Sequence, residues 1–173
     1  MTKFFRITTF TCLLAVTSLV CSRLHAQAKA TDKIKASGIK VEMIQSEEIK
    51  LPAEFQVAIY ENLIQQMGKK DSFLHVYREG DRDATNVPNL VILHATVSGF
   101  KKGSEEMRQV TTVAGATSIT IHCRFTDADG KVLLEKDVNG KVRFFGDNLK
   151  ATYDFAKKAA AVVHDNFSAT GTS

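Results

Sequence analysis

Three histidines are the residues whose side chains could together hold a metal ion. His75, His94 and His122 each fall inside a predicted β-strand, so imidazoles on neighbouring strands could lie close together. A zinc site needs three or four ligands at about 2.0–2.3 Å, and no close-spaced pair of the HxH or CxxC type is present. The histidines are therefore weak metal candidates, and the sequence predicts half-exposed strand residues and no cofactor.

Cys123 could act as a nucleophile if a histidine activated it. It follows His122 in a strand whose side chains alternate between faces, so these two side chains point to opposite sides. Ile119, Ile121 and Phe125 share the face of Cys123. A free cysteine on an apolar face behaves as a small hydrophobic residue, whereas a reactive thiol needs exposed, electropositive surroundings. The sequence predicts a core cysteine.

Thr120, His122 and Arg124 occupy the polar face of this same strand. If helices cover the apolar face of the sheet, these three side chains stay open to water or to a partner. The sequence therefore predicts an interaction face at Thr120, His122 and Arg124.

Other motifs of catalytic or binding proteins are incomplete. Asp127, Asp129 and Gly130 resemble the start of a calcium loop, but the distal glutamate of an EF-hand does not follow, and a hairpin turn explains them. The hydrolase signatures GxSxG and HExxH are absent. The lysine pairs at 101–102 and 157–158 lack the interleaved aromatic residues of single-strand binders. The sequence predicts no catalytic residue, no enzymatic activity and no nucleic-acid partner.

The first residues have the layout of a secretory signal peptide. Lys3 and Arg6 precede an apolar stretch over 10–20, and small residues end the segment at Ala28, which predicts a signal peptide over residues 1–28. An uncleaved anchor is the weaker alternative, because the apolar stretch is shorter than the ~20 residues that span a bilayer. Lipidation of Cys21 is a third alternative, although the residue before it is Val20, where such sites usually carry glycine or alanine.

Length and charge favour one globular domain. The chain has 173 residues, 44% of them hydrophobic, and a net charge of +4. The predicted signal peptide holds three basic and no acidic side chains, so its removal lowers the net charge to about +1. A basic surface for nucleic acid or anionic membranes thereby loses its support.

The hydrophobic pattern predicts strand, helix, four strands, helix. Alternation at 39–43 indicates the first strand, and an apolar stripe every four residues from Phe55 to Met67 indicates a helix. This helix begins at Leu51-Pro52 and ends with a left-handed cap at Gly68. Further strands are predicted over 72–78, 90–97, 118–126 and 132–142, a polar loop over 100–109, and a second helix from about Asn148 to Phe167.

This order predicts an α+β fold, with a mainly antiparallel or mixed sheet of about five strands and two helices packed on one face. Residues 29–37 are expected to form a flexible tether, 38–167 a single α+β domain, and 168–173 a mobile tail.

From roughly Val41 to Phe167, the chain resembles a bacterial exported family known only as a domain of unknown function, the one numbered 4410. The resemblance rests on LPAEF, LVILHATVSGF and GATSITIHCRFTDADGKVLLEKDVNGKV, followed by an alanine-rich helix. More distantly, it is similar to small α+β domains of envelope lipoproteins. The resemblance implies export and an α+β fold, and it transfers no site residue, because the family offers no established site.

These observations predict an exported, non-enzymatic protein of the cell envelope, either periplasmic or extracellular, or associated with the outer membrane. Its expected partner is an envelope protein or a cell-wall component, and no transmembrane span is expected after signal cleavage. The alternative is a periplasmic protein that binds a small molecule or a metal, or an enzyme that uses a pocket between helices and sheet.

Overall fold

A computed structural model describes residues 32–69, 73, 75–110, 115–142 and 147–170. The predicted signal peptide over 1–28 lies outside these residues, as do the first residues of the predicted tether and the end of the predicted tail. The elements in chain order are β1 Ile34–Ala36, β2 Gly38–Val41, α1 Ala53–Gly68, β3 His75–Arg78, β4 Leu90–Lys101, α2 Glu105–Val110, β5 Thr117–Thr126, β6 Val132–Val142, α3 Lys150–Asn166 and β7 Phe167–Ala169.

Five strands form a mixed sheet in the order β3-β2-β4-β5-β6. β2 runs parallel to both β3 and β4, whereas β5 and β6 join β4 as antiparallel hairpins. The parallel pair β2–β3 is joined through α1, because parallel neighbours need a crossover connection. The predicted α+β class with a five-stranded sheet is confirmed.

The two long helices, α1 and α3, supply the apolar side chains that cover the sheet. In α1, the predicted stripe of Phe55, Ile59, Leu63 and Met67 is buried. In α3, the buried set is rich in alanine, which lets the helix approach its neighbours closely. The end of α1 differs from the expectation, because Gly68 lies within the helix and Lys69 closes it in the right-handed α region.

The segment predicted as a polar loop over 100–109 consists largely of regular secondary structure. β4 continues through Lys101, which pairs with Ser118 of β5. A short helix, α2, then follows, and the hydroxyl of Ser104 accepts a hydrogen bond from the N–H of Met107 at 3.3 Å. A serine before a helix whose hydroxyl accepts from a free amide of the first turn is a local start signal, and here it begins a helix within a polar segment.

Part of the predicted tether and tail forms a second, two-stranded sheet. β1 and β7 pair in parallel, with Ile34 opposite Phe167 and Ala36 opposite Ala169. Ala36 and Phe167 are almost completely buried. Residues 34–36 are therefore not a flexible tether, and residues 168–169 are not a mobile tail.

An ion pair and a cation–π contact hold the edge strand β3 against α1. The guanidinium of Arg78 makes two hydrogen bonds to the carboxylate of Glu61, at 2.6 and 2.8 Å, and lies 5.6 Å from the ring centre of Tyr60. These bonds lower the pKa of Glu61 below its ordinary value. Arg78 thus anchors the strand that carries His75.

Candidate functional site on the outer sheet face

The face of the sheet opposite α1 and α3, which we call the outer face, carries the predicted interaction residues. Along β5, Ile119, Ile121, Cys123 and Phe125 are fully buried on the helix side. The intervening Thr120, His122 and Arg124 point to the outer face and are partly or fully exposed. The strand period of two places these three side chains in one row.

His122 lies between two carboxylates of β6. Its Nδ1 lies 2.8 Å from Oδ1 of Asp137, the residue opposite it in the register, and its Nε2 lies 3.8 Å from Oε1 of Glu135. Because the two carboxylates contact opposite sides of the ring, one metal ion cannot bind both of them and the imidazole. The arrangement fixes the ring of an exposed histidine beside the edge of the sheet.

His94 joins a carboxylate to a hydroxyl. Its Nδ1 lies 2.7 Å from Oε2 of Glu42, and its Nε2 lies 3.1 Å from Oγ1 of Thr126. Carboxylate, imidazole and hydroxyl stand in the order found in hydrolase triads. Thr126, however, is only 4% exposed, so its hydroxyl is out of reach of a substrate. The three groups brace β4 against β5 and against the segment after β2.

His75 is separated from the other two histidines. It lies on β3, where its ring centre is 6.0 Å from that of Tyr77, and β2 stands between β3 and β4. Two strand spacings amount to roughly 10 Å, well beyond a shared coordination sphere. Within the described ranges, no group of three or more histidine, cysteine or acidic side chains is arranged to hold a metal ion.

Arg124 stands in the middle of the outer face with its guanidinium exposed. In the register it lies between His94 on β4 and Glu135 on β6. The neighbouring carboxylates contact imidazoles instead: Glu42 binds His94, and Asp137 binds His122. Arg124 is therefore a cation available to a partner.

Hydroxyl and amide groups occupy the outer face beside and beyond His122. Asn139 Nδ2 donates to Oγ1 of Thr120 at 2.8 Å, and the hydroxyl of Thr96 donates to Gln45 Oε1 at 3.3 Å. Within the described residues, the buried Oδ1 of Asn139 has no hydrogen-bond partner. The outer face can thus offer hydrogen bonds, the exposed guanidinium of Arg124 and two acid-bound imidazoles over neighbouring strands.

Sequence reasoning missed the β6 members of this face. Glu135, Asp137 and Asn139 alternate along β6, as Thr120, His122 and Arg124 do along β5. The period of two in β6 could have identified them, because a strand beside the polar row of β5 must present its own polar row on the same face.

Replacement of His122 by alanine is expected to change the free energy of unfolding by less than about 0.5 kcal/mol. The side chain is 42% exposed, and exposed ion pairs contribute little to stability. Urea denaturation followed by far-UV circular dichroism measures the change, since the chain has no tryptophan. A loss of several kcal/mol would mean that His122 is part of the core.

Native Cys123 is expected to resist thiol reagents. Burial, together with the charge of Asp137, raises the pKa of its thiol to about 12. At pH 8.5 its labelling by a disulfide reagent should be slower by a factor on the order of 100 or more than in 6 M urea. Rapid native labelling would contradict the core placement.

The same burial of Cys123 predicts a pH dependence of stability. Because the folded-state pKa of the thiol lies above the unfolded value of 9.0, the free energy of unfolding should fall as the pH rises from about 9 towards 12.

Comparison with known proteins shows which fold this chain has, but it assigns the chain to no family. No family model and no curated protein matches the chain, so membership of family 4410 is a proposal. Within the described part of the chain, the helices all fall short of the length and apolarity that a membrane span requires.

Three solved structures illustrate the likeness. The PelC dodecamer from Paraburkholderia phytofirmans has a TM-score of 0.53 at 11% identity, over 77% of this chain and 89% of that one. A Xanthomonas campestris protein of the domain-of-unknown-function family 330 has a TM-score of 0.45 at 12% identity, over 75% and 81%. A putative lipoprotein from Caulobacter crescentus has a TM-score of 0.31 at 16% identity, over 71% and 81%. At these identities, the protein shares with PelC a fold and nothing more specific.

Proposed function

We propose that this protein is an exported, non-enzymatic binding module of the cell envelope, and that the outer face is its contact surface. The observation that carries the proposal is the row of partly or fully exposed polar side chains at Thr120, His122 and Arg124, continued by Glu135 and Asp137 on β6. Export is proposed from the sequence of residues 1–28, whose charge and apolar pattern are those of a signal peptide.

The chemistry of the outer face supports binding over catalysis. A catalytic nucleophile must reach its substrate, whereas the thiol of Cys123 and the hydroxyl of Thr126 are both buried. The open cleft beside the outer face, about 340 Å³ in volume, is lined mostly by polar residues around Glu42 and Glu79, together with Met43 and Ile44, and presents neither group. A flat polar surface is better suited to a macromolecular partner than to a small molecule, which prefers a concave apolar site.

Site-specific photocrosslinking in intact producing cells tests the proposal. A photoreactive phenylalanine analogue at Arg124 samples the outer face, and the same analogue at Lys157, exposed on α3, is the matched control. We expect a discrete adduct from position 124 and none of the same size from position 157. Digestion with protease or with a muramidase then distinguishes an envelope protein from a wall component.

Two outcomes would contradict this function. Identical adducts from positions 124 and 157 would mean that the outer face is not the contact surface. Absence of any adduct from position 124, combined with a rise in melting temperature on addition of a metal or metabolite, would favour the small-molecule alternative, because a ligand of the native state must stabilise it.

A further inference from the structure

A pair of side chains from α3 closes part of the sheet edge formed by β6. Oδ2 of Asp154 accepts a hydrogen bond from the backbone N–H of Lys141 at 2.9 Å, and Nζ of Lys158 donates to the backbone carbonyl of Asn139 at 2.9 Å. Lys158 also donates to Asp154 at 2.7 Å, one helical turn away. We call Asp154 and Lys158 the edge clamp. It occupies backbone groups that an edge strand otherwise offers to another strand.

The clamp reveals which backbone groups of β6 point away from the sheet. In an antiparallel strand, the N–H and C=O of one residue point to the same side, and successive residues alternate. The clamped groups of Asn139 and Lys141 therefore place those of Glu135 and Asp137 on the outward side as well. A bulge between Leu134 and Val132 interrupts the pairing of β6 with β5. The regular edge thus runs from Glu135 to Lys141, and the clamp holds its second half.

The other edge of the sheet is less suited to strand addition. β3 has four residues and ends in a turn, where Oδ2 of Asp81 accepts the backbone N–H of Arg78 at 2.6 Å. β6 has eleven residues. An added strand would therefore find its longer template at β6.

The charges along β6 favour a second copy of this chain as the added strand. Antiparallel alignment of two β6 strands about Val138 sets Glu135 opposite Lys141 of the second copy, and Asp137 opposite Asn139. Opposite charges at facing positions stabilise a strand pair, and like charges destabilise it. Alignment about Asp137 would instead bring two Asp137 carboxylates together. Alignment about Asn139 would also set opposite charges together, Asp137 against Lys141, but it would pair only residues 137–141 of the regular edge. The alignment about Val138 combines opposite charges with the whole regular edge from Glu135 to Lys141 and is therefore the favoured one.

We propose that the edge clamp is an autoinhibitory contact that keeps β6 from pairing with β6 of a second copy. In the alignment about Val138, half of the backbone hydrogen bonds use the carbonyl of Asn139 or the N–H of Lys141, the two groups that the clamp holds. Release of Asp154 and Lys158 frees these groups and joins two sheets into one. This inference is independent of the outer face as a contact surface.

Sedimentation velocity of the protein purified as the producing cell processes it provides the test. The wild-type protein is expected to sediment as a monomer at micromolar concentration. The variant D154A/K158A is expected to dimerise with an association constant at least about tenfold higher. The variant K157A/D165A removes one lysine and one aspartate from exposed positions of the same helix, and it should remain monomeric.

A charge exchange tests the alignment itself. Adding K141E to D154A/K158A places Glu135 opposite a glutamate and should dissociate the dimer, and adding E135K as well should restore it. The single variant K158M keeps most of the side-chain volume and frees only the Asn139 carbonyl, so it should dimerise to an intermediate extent. Monomeric behaviour of every folded clamp variant would overturn the proposal, as would a dimer that is insensitive to K141E.

Discussion

Replacement of Gly140 by alanine is expected to lower the free energy of unfolding by about 3 kcal/mol or more. A methyl group at this position would lie 2.1 Å from the carbonyl oxygen of Ala151 and 2.6 Å from Cβ of Phe155. Both atoms belong to the frame of α3 and cannot rotate away. The helix would have to move off β6, and the fully buried ring of Phe155 would lose its contacts with the sheet.

Gly68 offers the matched control for this substitution. It lies at the end of α1, and a methyl group there would meet no atom within 4 Å. Alanine has the higher helix propensity, so G68A should leave stability unchanged or raise it by up to about 1 kcal/mol. Urea denaturation of both variants, followed by far-UV circular dichroism, compares them directly. A G140A variant as stable as G68A would mean that α3 lies farther from β6 than described.

The requirement for glycine at position 140 was not evident from the sequence. A glycine inside a strand indicates a bulge or a close approach of another backbone, but the pattern does not say which element approaches. The contact between Gly140 and α3 belongs to the tertiary structure, and no local sequence pattern encodes it. The same limit applies to the edge clamp, because Asp154 and Lys158 read as an ordinary ion pair on the exposed side of a helix.

The buried and exposed faces of a strand were predictable where the strand is long enough to show the alternation of apolar and polar residues. The alternation in β5 placed Cys123 on the buried side and His122 on the outer side, as the structure has them. β1 and β7 were missed because each has three residues and pairs with a segment at the other end of the chain. No local period in so short a segment can indicate a parallel partner that distant.

The partners of the outer-face histidines depend on register, which alternation does not provide. The turn at 127–130 sets Thr126 opposite Val132, and a bulge then shifts the register by one residue so that Phe125 faces Leu134. Without that shift His122 would face Lys136. Because a slip of one residue reverses the faces of a strand, the bulge is what turns Asp137 towards His122.

Replacement of Phe125 by alanine is expected to cost about 3–5 kcal/mol of unfolding free energy, the usual range for a buried phenylalanine. Its side chain is fully buried, and its ring centre lies 5.5 Å from that of Phe167, which in turn lies 5.8 Å from that of Phe73. Phe167 stands where α3 ends and β7 begins. Loss of the Phe125 ring therefore leaves a cavity at the contact between β5 and the end of the helix layer.

Arg124 is the matched control for this residue, because it is the sequence neighbour of Phe125 on the opposite face of the same strand. R124A should change stability by no more than about 0.5 kcal/mol, since the side chain is exposed and makes no ion pair within the described residues. F125L, which keeps much of the volume, should fall between the two. If R124A cost as much as F125A, the assignment of the two faces of β5 would be wrong. The ordering F125A, F125L, R124A, from least to most stable, would establish that β5 buries the face of Phe125 and exposes the face of Arg124.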